Sequence, residues 1–281
     1  MYIFLRETKI LLEYGGRFIH LDTTGDISCD QTFKETNIPR RNLHSKNNFF
    51  KFRQVRAHNT ISGSISLYIT KSRQELLFLE LAGWNHNGST YTYPDFETTI
   101  PETFNIYLVN DNGSYKLNNC IITSIDFSFS KTFCGALNVS FDSSSLEKTG
   151  ENYALYPQGS HLNITPITSI LGNSSINTIS VNASFTRSLT YLNSETIHNS
   201  SSIIENKRAI ITDANFAINL VTYLSEPIID SIDFVKFSQS GLTLEMDNAL
   251  ITRRNTIMDV YQSAFDITPT NTTNYINLGG L

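Results

Sequence analysis

Ile27-Ser28-Cys29-Asp30-Gln31-Thr32-Phe33 returns later in the chain as Ile179-Ser180-Val181-Asn182-Ala183-Ser184-Phe185, and this return decides the fold. Leu43-His44 is echoed by Ile197-His198, Ile65-Ser66-Leu67 by Ile218-Asn219-Leu220, and Ser72 to Trp84 by Ser225 to Phe237, all at an offset of about 153 residues. Farther on, Asn119-Cys120-Ile121-Ile122-Thr123 matches Asn248-Ala249-Leu250-Ile251-Thr252 at a smaller offset, which places an insertion in the first copy between Asn85 and Ser114. A period this long means two copies of a domain rather than the short units of a solenoid. The copies are expected over residues 1–150 and 151–281, with Lys148 to Thr165 as linker. A duplicated domain also doubles the rotational order of a ring, because three chains supply six similar units.

Working outward, alternation dominates. Ile61, Gly63, Ile65, Leu67 and Ile69 share one face of a strand, and Ser62, Ser64, Ser66 and Tyr68 the other. Ile125, Phe127 and Phe129 alternate with Asp126, Ser128 and Ser130, and Leu137, Val139 and Phe141 with Asn138 and Ser140. Period 2 predicts half-buried strands. Phe104 to Val109, Asn110-Asp111-Asn112-Gly113, and Tyr115 to Ile122 predict a hairpin, since Asn-Gly supplies the positive φ of a tight turn. The second copy predicts strands at Ile176 to Phe185, Ala214 to Tyr223 and Leu242 to Met246. Each copy also predicts one helix. In the first, Ser72-x-x-Glu75 forms a capping box before Leu76, Leu77 and Leu79. In the second, Ser225 caps, Pro227 occupies the first turn, and Ile228, Ile229, Ile232 and Val235 form one face. The expected fold is mainly β: two tandem sandwich or barrel domains, each with one flanking helix.

Composition narrows the function. Hydrophobic residues make up 40% and charged residues 17% of 281, with a net charge of −5. That excludes disorder and argues against tight nucleic-acid binding, which needs a basic footprint. Arg6, Glu7, Lys9 and Glu13 interrupt the apolar start, so no signal segment is expected, and no apolar run is long enough to span a membrane. Cys29, Cys120 and Cys134 read as buried free thiols on strands, with a Cys120–Cys134 bridge as the alternative. Sequons at positions such as Asn87, Asn138 and Asn271 are expected to be unused.

Catalytic signatures are absent: there is no G-x-S-x-G, H-E-x-x-H, P-loop or Rossmann glycine pattern. The six histidines share no metal-ligand spacing, and the repeat-related His44 and His198 read as structural loop anchors. No enzyme activity, cofactor or metal is expected. Between the second and third strands each copy carries a long polar loop, Asn37 to Arg56 and Ser188 to Lys207. The first holds Arg40, Arg41, Phe49, Phe50 and Phe52. Basic residues among aromatics allow stacking on single-stranded nucleic acid. Docking on a neighbouring subunit is the stronger reading, since exposed aromatics mark protein contacts.

The opening from Thr8 to Tyr14 through Gly15-Gly16 and Ile27–Thr36 into Leu43-His44, with the closing strands Cys120 to Ser130 and Gly135 to Phe141, resembles bacteriophage tail-tube proteins. The likeness is to the form in which two tube domains are fused in one chain. It implies a structural virion protein whose rings, trimers with pseudo-sixfold symmetry, stack around a DNA-conducting channel. It implies inter-ring contacts from Arg40, Arg41, Phe49, Phe50 and Phe52, and a lumen lined by positions such as Asp126, Ser128, Asn138 and Ser140. Implied partners are further copies of the chain, the tape measure, terminator and baseplate hub, and passing double-stranded DNA without specific binding. No membrane partner is implied, and assembly is expected in the host cytoplasm. A baseplate hub or distal tail adaptor is the rival within the virion. A carbohydrate-binding β-sandwich, with Trp84, Tyr91, Tyr93 and Phe96 as its platform, is the rival from another class.

Overall fold

The computed structural model describes residues 8–31, 35–40, 49–55, 60–88, 90–93, 99, 101–110, 113–131, 135–150, 153, 160, 162–191, 209–223, 234–257, 262–269 and 276–279. The fold is mainly β, and every strand pairing among the described residues is antiparallel.

The first half opens with β1 (Lys9–Tyr14) and β2 (Arg17–Leu21), joined at Gly15-Gly16, where both φ angles are positive. β3 (Thr23–Gln31) pairs with β6 (Ile61–Tyr68). Between them, β4 (Glu35–Arg40) and β5 (Phe49–Val55) form a two-stranded arm where the sequence predicts an open loop. β7 (Asn85–Asn87) and β8 (Thr90–Thr92) are short. β9 (Phe104–Asn110), β10 (Gly113–Ser130), β11 (Ala136–Ser143) and β12 (Ser145–Thr149) complete this half. The second half runs through β13 (Thr168–Leu171), β14 (Ser174–Ile176), β15 (Thr178–Tyr191), β16 (Ala209–Tyr223), β17 (Phe234–Gln239), β18 (Leu242–Asp247), β19 (Ala249–Ile257), β20 (Gln262–Pro269) and β21 (Ile276–Gly279).

Strand order repeats. The long sheet reads β3-β6-β11-β10 and then, in the same sense, β15-β16-β20-β19. The join is the ladder β10–β15, with Ile125 opposite Phe185 and Phe129 opposite Val181. A second, smaller pattern repeats too. β2-β1-β9 continues into the first half of β10 and on to β12, and β14-β13-β17-β18-β21 has the same order. β10 therefore serves two sheets. It changes sheet at Asn119, whose φ is 49°, and its ladder with β11 shifts between Ile122 and Ser124. The second half makes the same passage between β18 and β19 at Asn248, with φ of 52° and a shift between Ile251 and Arg253. Asn tolerates this left-handed conformation better than other non-glycine residues. The insertion has a structural use: β8 pairs with β21, so a first-half segment extends the second-half sheet.

The expected alternation holds. Ile61, Ile65, Leu67, Ile125, Phe127, Leu137, Val139 and Phe141 are buried, and their polar neighbours turn to the opposite face. At about 1.5–3 kcal/mol per buried large side chain, this row supplies much of the driving force for folding. Gly63 is required by close approach, since a Cβ there would lie 2.5 Å from Cζ of Phe141.

The first predicted helix is present but short: a 3-10 turn, Gln74–Leu76, leads into α1 (Leu77–Leu81). The capping box does not form. Arg73 at the start has φ of 56° and no side chain caps the turn. Glu75 instead accepts from the Thr70 backbone N–H at 3.2 Å and from its hydroxyl at 2.9 Å. Burial of Glu75 explains the difference: a buried carboxylate must find donors, and Thr70 is nearer the core than Ser72. Gly83, at φ of 91°, ends the helix by donating to the Glu80 carbonyl at 2.8 Å. Of the second predicted helix, Val235 lies on strand β17, where the ladder with β13 claims its backbone; Ser225 to Ile232 fall outside the described residues.

Candidate functional site

Asp126, Ser128, Asn138 and Ser140 lie on one face of the long sheet. Asp126 stands opposite Asn138 on one side and Ser184 on the other, Ser128 opposite Ala136 and Asn182, and Ser140 opposite Ser124. The inner face beneath them is the apolar row, so these four belong to the face turned from the core. That face continues across both halves through Ser28, Ser64 and Ser66 and through Asn182, Asn219 and Asp266. Its described carboxylates include Asp30, Asp126, Asp142, Asp213 and Asp266, and the exposed Arg253 stands opposite Asp266. Uncharged Ser and Asn fill most of the rest of the described face, whose carboxylates outnumber its strand-borne cations.

Asp142 is more than the solvated carboxylate its strand position suggests. Ser62 donates to it at 3.0 Å and Tyr191 at 2.9 Å. Tyr191 reaches over Ile121, which packs with Ala209, Leu189 and Tyr191 in a small apolar cluster on this polar face. Burial, followed by the Asp142 charge and hydrogen bond, pushes the Tyr191 phenol far above its ordinary range. The sequence signal for this cluster is the adjacency Ile121-Ile122: neighbouring strand residues point to opposite faces, so two adjacent apolar residues require apolar cover on the otherwise polar face as well.

The predicted inter-ring residues fall on the arm. Arg40 is opposite Phe49, Pro39 opposite Phe50, and Ile38 opposite Phe52. Arg41 lies outside the described residues, as do His44 and His198. In the second half the equivalent arm is an extension of β15 and β16, paired out to Tyr191 and Ala209.

Two rings of the expected sugar platform are not at the surface. Trp84 is 3% exposed and Tyr91 is buried too, and Phe96 lies outside the described residues. Trp84 meets Tyr93, Phe185 and Phe216 edge-on, with centroids 5.4, 6.0 and 6.1 Å away. Aromatics from both halves share this contact, so hydrophobic packing between halves claims the rings. Arg187 of β15 fastens the same region. Its Nε donates to the Ile122 carbonyl and its Nη1 to the Ala82 carbonyl at 3.2 Å, joining the β10 shift to the end of α1. Burial pulls its pKa down to about 10.

Cys29 and Cys120 are free, but Cys29 is exposed on β3, the end strand of the sheet; Cys134 lies outside the described residues. His86 pairs with Glu80 at 3.0 Å and stacks on Tyr91, which ties β7 to α1. Among the described residues no group of three His, Cys, Asp or Glu side chains has the grouping to hold a metal ion. Nor is any helix among them long and apolar enough to cross a membrane.

The candidate surface is a two-unit polar sheet with an arm, and comparison with known proteins places the chain in a structural family. The chain is 25% identical over 293 residues to the baseplate tube protein p140 of Escherichia phage T5, covering 96% of this chain and 94% of that protein. The model of the Bacteriophage Baseplate Tube Protein Family matches residues 1–279. The chain belongs to that family, as a structural protein of the phage tail or baseplate tube.

Proposed function

We propose that three copies of this chain form a ring of six similar units, and that such rings stack into the baseplate end of a tail tube through which double-stranded DNA passes. The observation that carries this reading is the order β3-β6-β11-β10 followed by β15-β16-β20-β19. Two four-stranded units are joined head to tail, and the path ends at β3 and β19. Each of these has one strand neighbour among the described residues. A heterologous join that repeats by a fixed rotation closes into a ring, and closure removes both exposed edges. The polar face then lines the channel. The two units correspond to residues 1–150 and 151–281, and the arms with Arg40, Arg41, Phe49, Phe50 and Phe52 reach the next ring. The role is architectural rather than catalytic. The partners are further copies, the tape measure, terminator and hub proteins, and the assembly site is the host cytoplasm. A tube rather than a separate hub or adaptor is favoured by the family description and by coverage of nearly the whole relative.

The test is mass photometry and negative-stain electron microscopy of the purified full chain across a concentration series. Trimers, or stacked rings with an open centre, are expected. A chain that stays monomeric at every concentration refutes the reading. Assembled rings should also fail to retain double-stranded DNA at low salt, because carboxylates outnumber strand-borne cations on the described part of the channel face.

A further inference from the structure

The same triplet occurs at two hairpins. Asn87-Gly88-Ser89 connects β7 and β8, and Asn112-Gly113-Ser114 runs from the β9–β10 connection into β10. As sequence the two are alike, and in space their glycines stand differently. Asn87 pairs with Thr90, so Gly88 is the first residue of the loop and lies outside the ladder. Its φ is 63°, it is exposed, and a Cβ placed on it would meet nothing within 4 Å. Gly113 is itself a ladder residue, paired with Asn110. In a tight turn the residue at that closing position donates its N–H back across the turn. A Cβ on Gly113 would meet Lys148 Cε at 3.4 Å, and the next residue, Ser114, is 2% exposed. Asn112 itself lies outside the described residues.

The backbone nitrogen that follows an asparagine is a latent nucleophile, and glycine adds no side chain to hinder it. The Gly88 N–H gives its proton to hydroxide, and the nitrogen attacks Cγ of the Asn87 side chain. The new C–N bond closes a five-membered succinimide, and the side-chain amide nitrogen leaves as ammonia after taking up a proton. Water then opens the ring. Cleavage between nitrogen and Cγ yields aspartate. Cleavage at the main-chain carbonyl yields isoaspartate, in which the chain runs through Cβ. The sum consumes one water and releases one ammonia, with no change of oxidation state. An amide already donating within a turn must first break that bond, so it reacts only while its hairpin is open.

We propose that Asn87 is a site of spontaneous deamidation whose conversion loosens the β7–β8 hairpin from the second-half sheet, while the ladder position of Gly113 protects the identical triplet at Asn112. Isoaspartate adds a methylene to the backbone at the end of β7 and puts the Asn87–Thr90 pair out of step. The next pair along is His86 with Tyr91, and Tyr91 stands opposite Leu278 of β21. β8 and β21 share two register pairs, Asn277 with Thr92 and Leu278 with Tyr91, so a small displacement of β8 reaches the whole contact. The loss of ammonia makes the change one-way. Neither step depends on whether the chain forms rings.

The experiment incubates the full chain at mildly alkaline pH in water enriched in heavy oxygen, both folded and in urea. Peptide mass spectrometry follows the two triplets, and enzymatic methylation of isoaspartate reports the isomerised product. In the folded chain Asn87 should convert several times faster than Asn112, the factor that one intramolecular hydrogen bond supplies. Both products should carry heavy oxygen, with isoaspartate in excess. In urea the two sites should convert at similar rates, because the triplets are the same. Hydrogen exchange at Ile276–Gly279 should quicken in the aged chain. It should stay slow in an equally aged Asn87→Gln variant, whose longer side chain must close a larger and slower ring, and a melt establishes that this variant starts folded. Equal rates at the two sites in the folded chain, or Asn112 ahead, overturn the inference. So does conversion of Asn87 that leaves exchange at Ile276–Gly279 unchanged.

Discussion

At the residue scale, two buried charges control local geometry. Arg187 is 5% exposed and holds two carbonyls that belong to different elements. Replacing it with Met fills the volume but leaves both acceptors without a donor. Arg187→Met is therefore expected to destabilise the chain by about 1–3 kcal/mol in urea titration, the cost of stranding buried polar groups. An unchanged midpoint would show that water reaches those carbonyls. Glu75 gives a pH signature. Burial raises its pKa above the ordinary carboxylate value, partly offset by the Thr70 hydrogen bonds, and nearby Asp22 adds to the rise. A raised carboxyl pKa means that the folded state holds its proton longer than the unfolded chain. The associated stability is full below the unfolded pKa and is lost as pH climbs through the folded one. Glu75→Gln should flatten the slope of melting temperature between mildly acidic and neutral pH. A parallel slope in the two proteins would rule the residue out as its source.

At the element scale, the strand that changes sheet is the distinctive feature. β10 can serve two sheets because Asn119 adopts a left-handed turn, fixed by its N–H donating to Asn105 Oδ1 at 3.0 Å. Asn119→Val and Asn248→Val should each cost about 1–2 kcal/mol, while the glycine variants stay near the parent stability. Thermal melts of the four variants check this, and equal melting of valine and glycine forms would remove the backbone explanation. Gly63 makes the opposite point, as a strand position that must stay bare. Gly63→Ala pushes a methyl into the buried Phe141 ring and should cost about 1–3 kcal/mol in denaturant. The sequence already groups Gly63 with the apolar face, but only the ladder between β6 and β11 identifies Phe141 as the ring that needs the space.

At the scale of the whole molecule, the two halves share a core. Trp84 is the single tryptophan, and its contacts with Phe185 and Phe216 cross from first half to second. Tryptophan fluorescence and circular dichroism should therefore report one coincident unfolding transition. Two resolved steps would mean that the halves unfold independently. Strand content, the polar and apolar faces, and the duplication were legible in the sequence because each rests on period 2 or on matched residues, which survive any arrangement in space. The paired positions Asn119 and Asn248 were visible too, as the start of a matching run. Other features depend on partners distant in the chain. Val235 reads as helical by spacing, but β13 and β18 offer its backbone a ladder, and pairing outweighs a weak local preference. Trp84 and Tyr91 read as a platform by residue type, and packing against the second half puts them in the core instead. The polar loop becomes a paired arm because two segments facing each other satisfy backbone groups that neither satisfies alone. Leu250 and Ile121 are indistinguishable as sequence. Only the order of strands reveals that Ile121 is covered while Leu250 is 50% exposed, since cover at a sheet edge comes from whatever lies next to it in space.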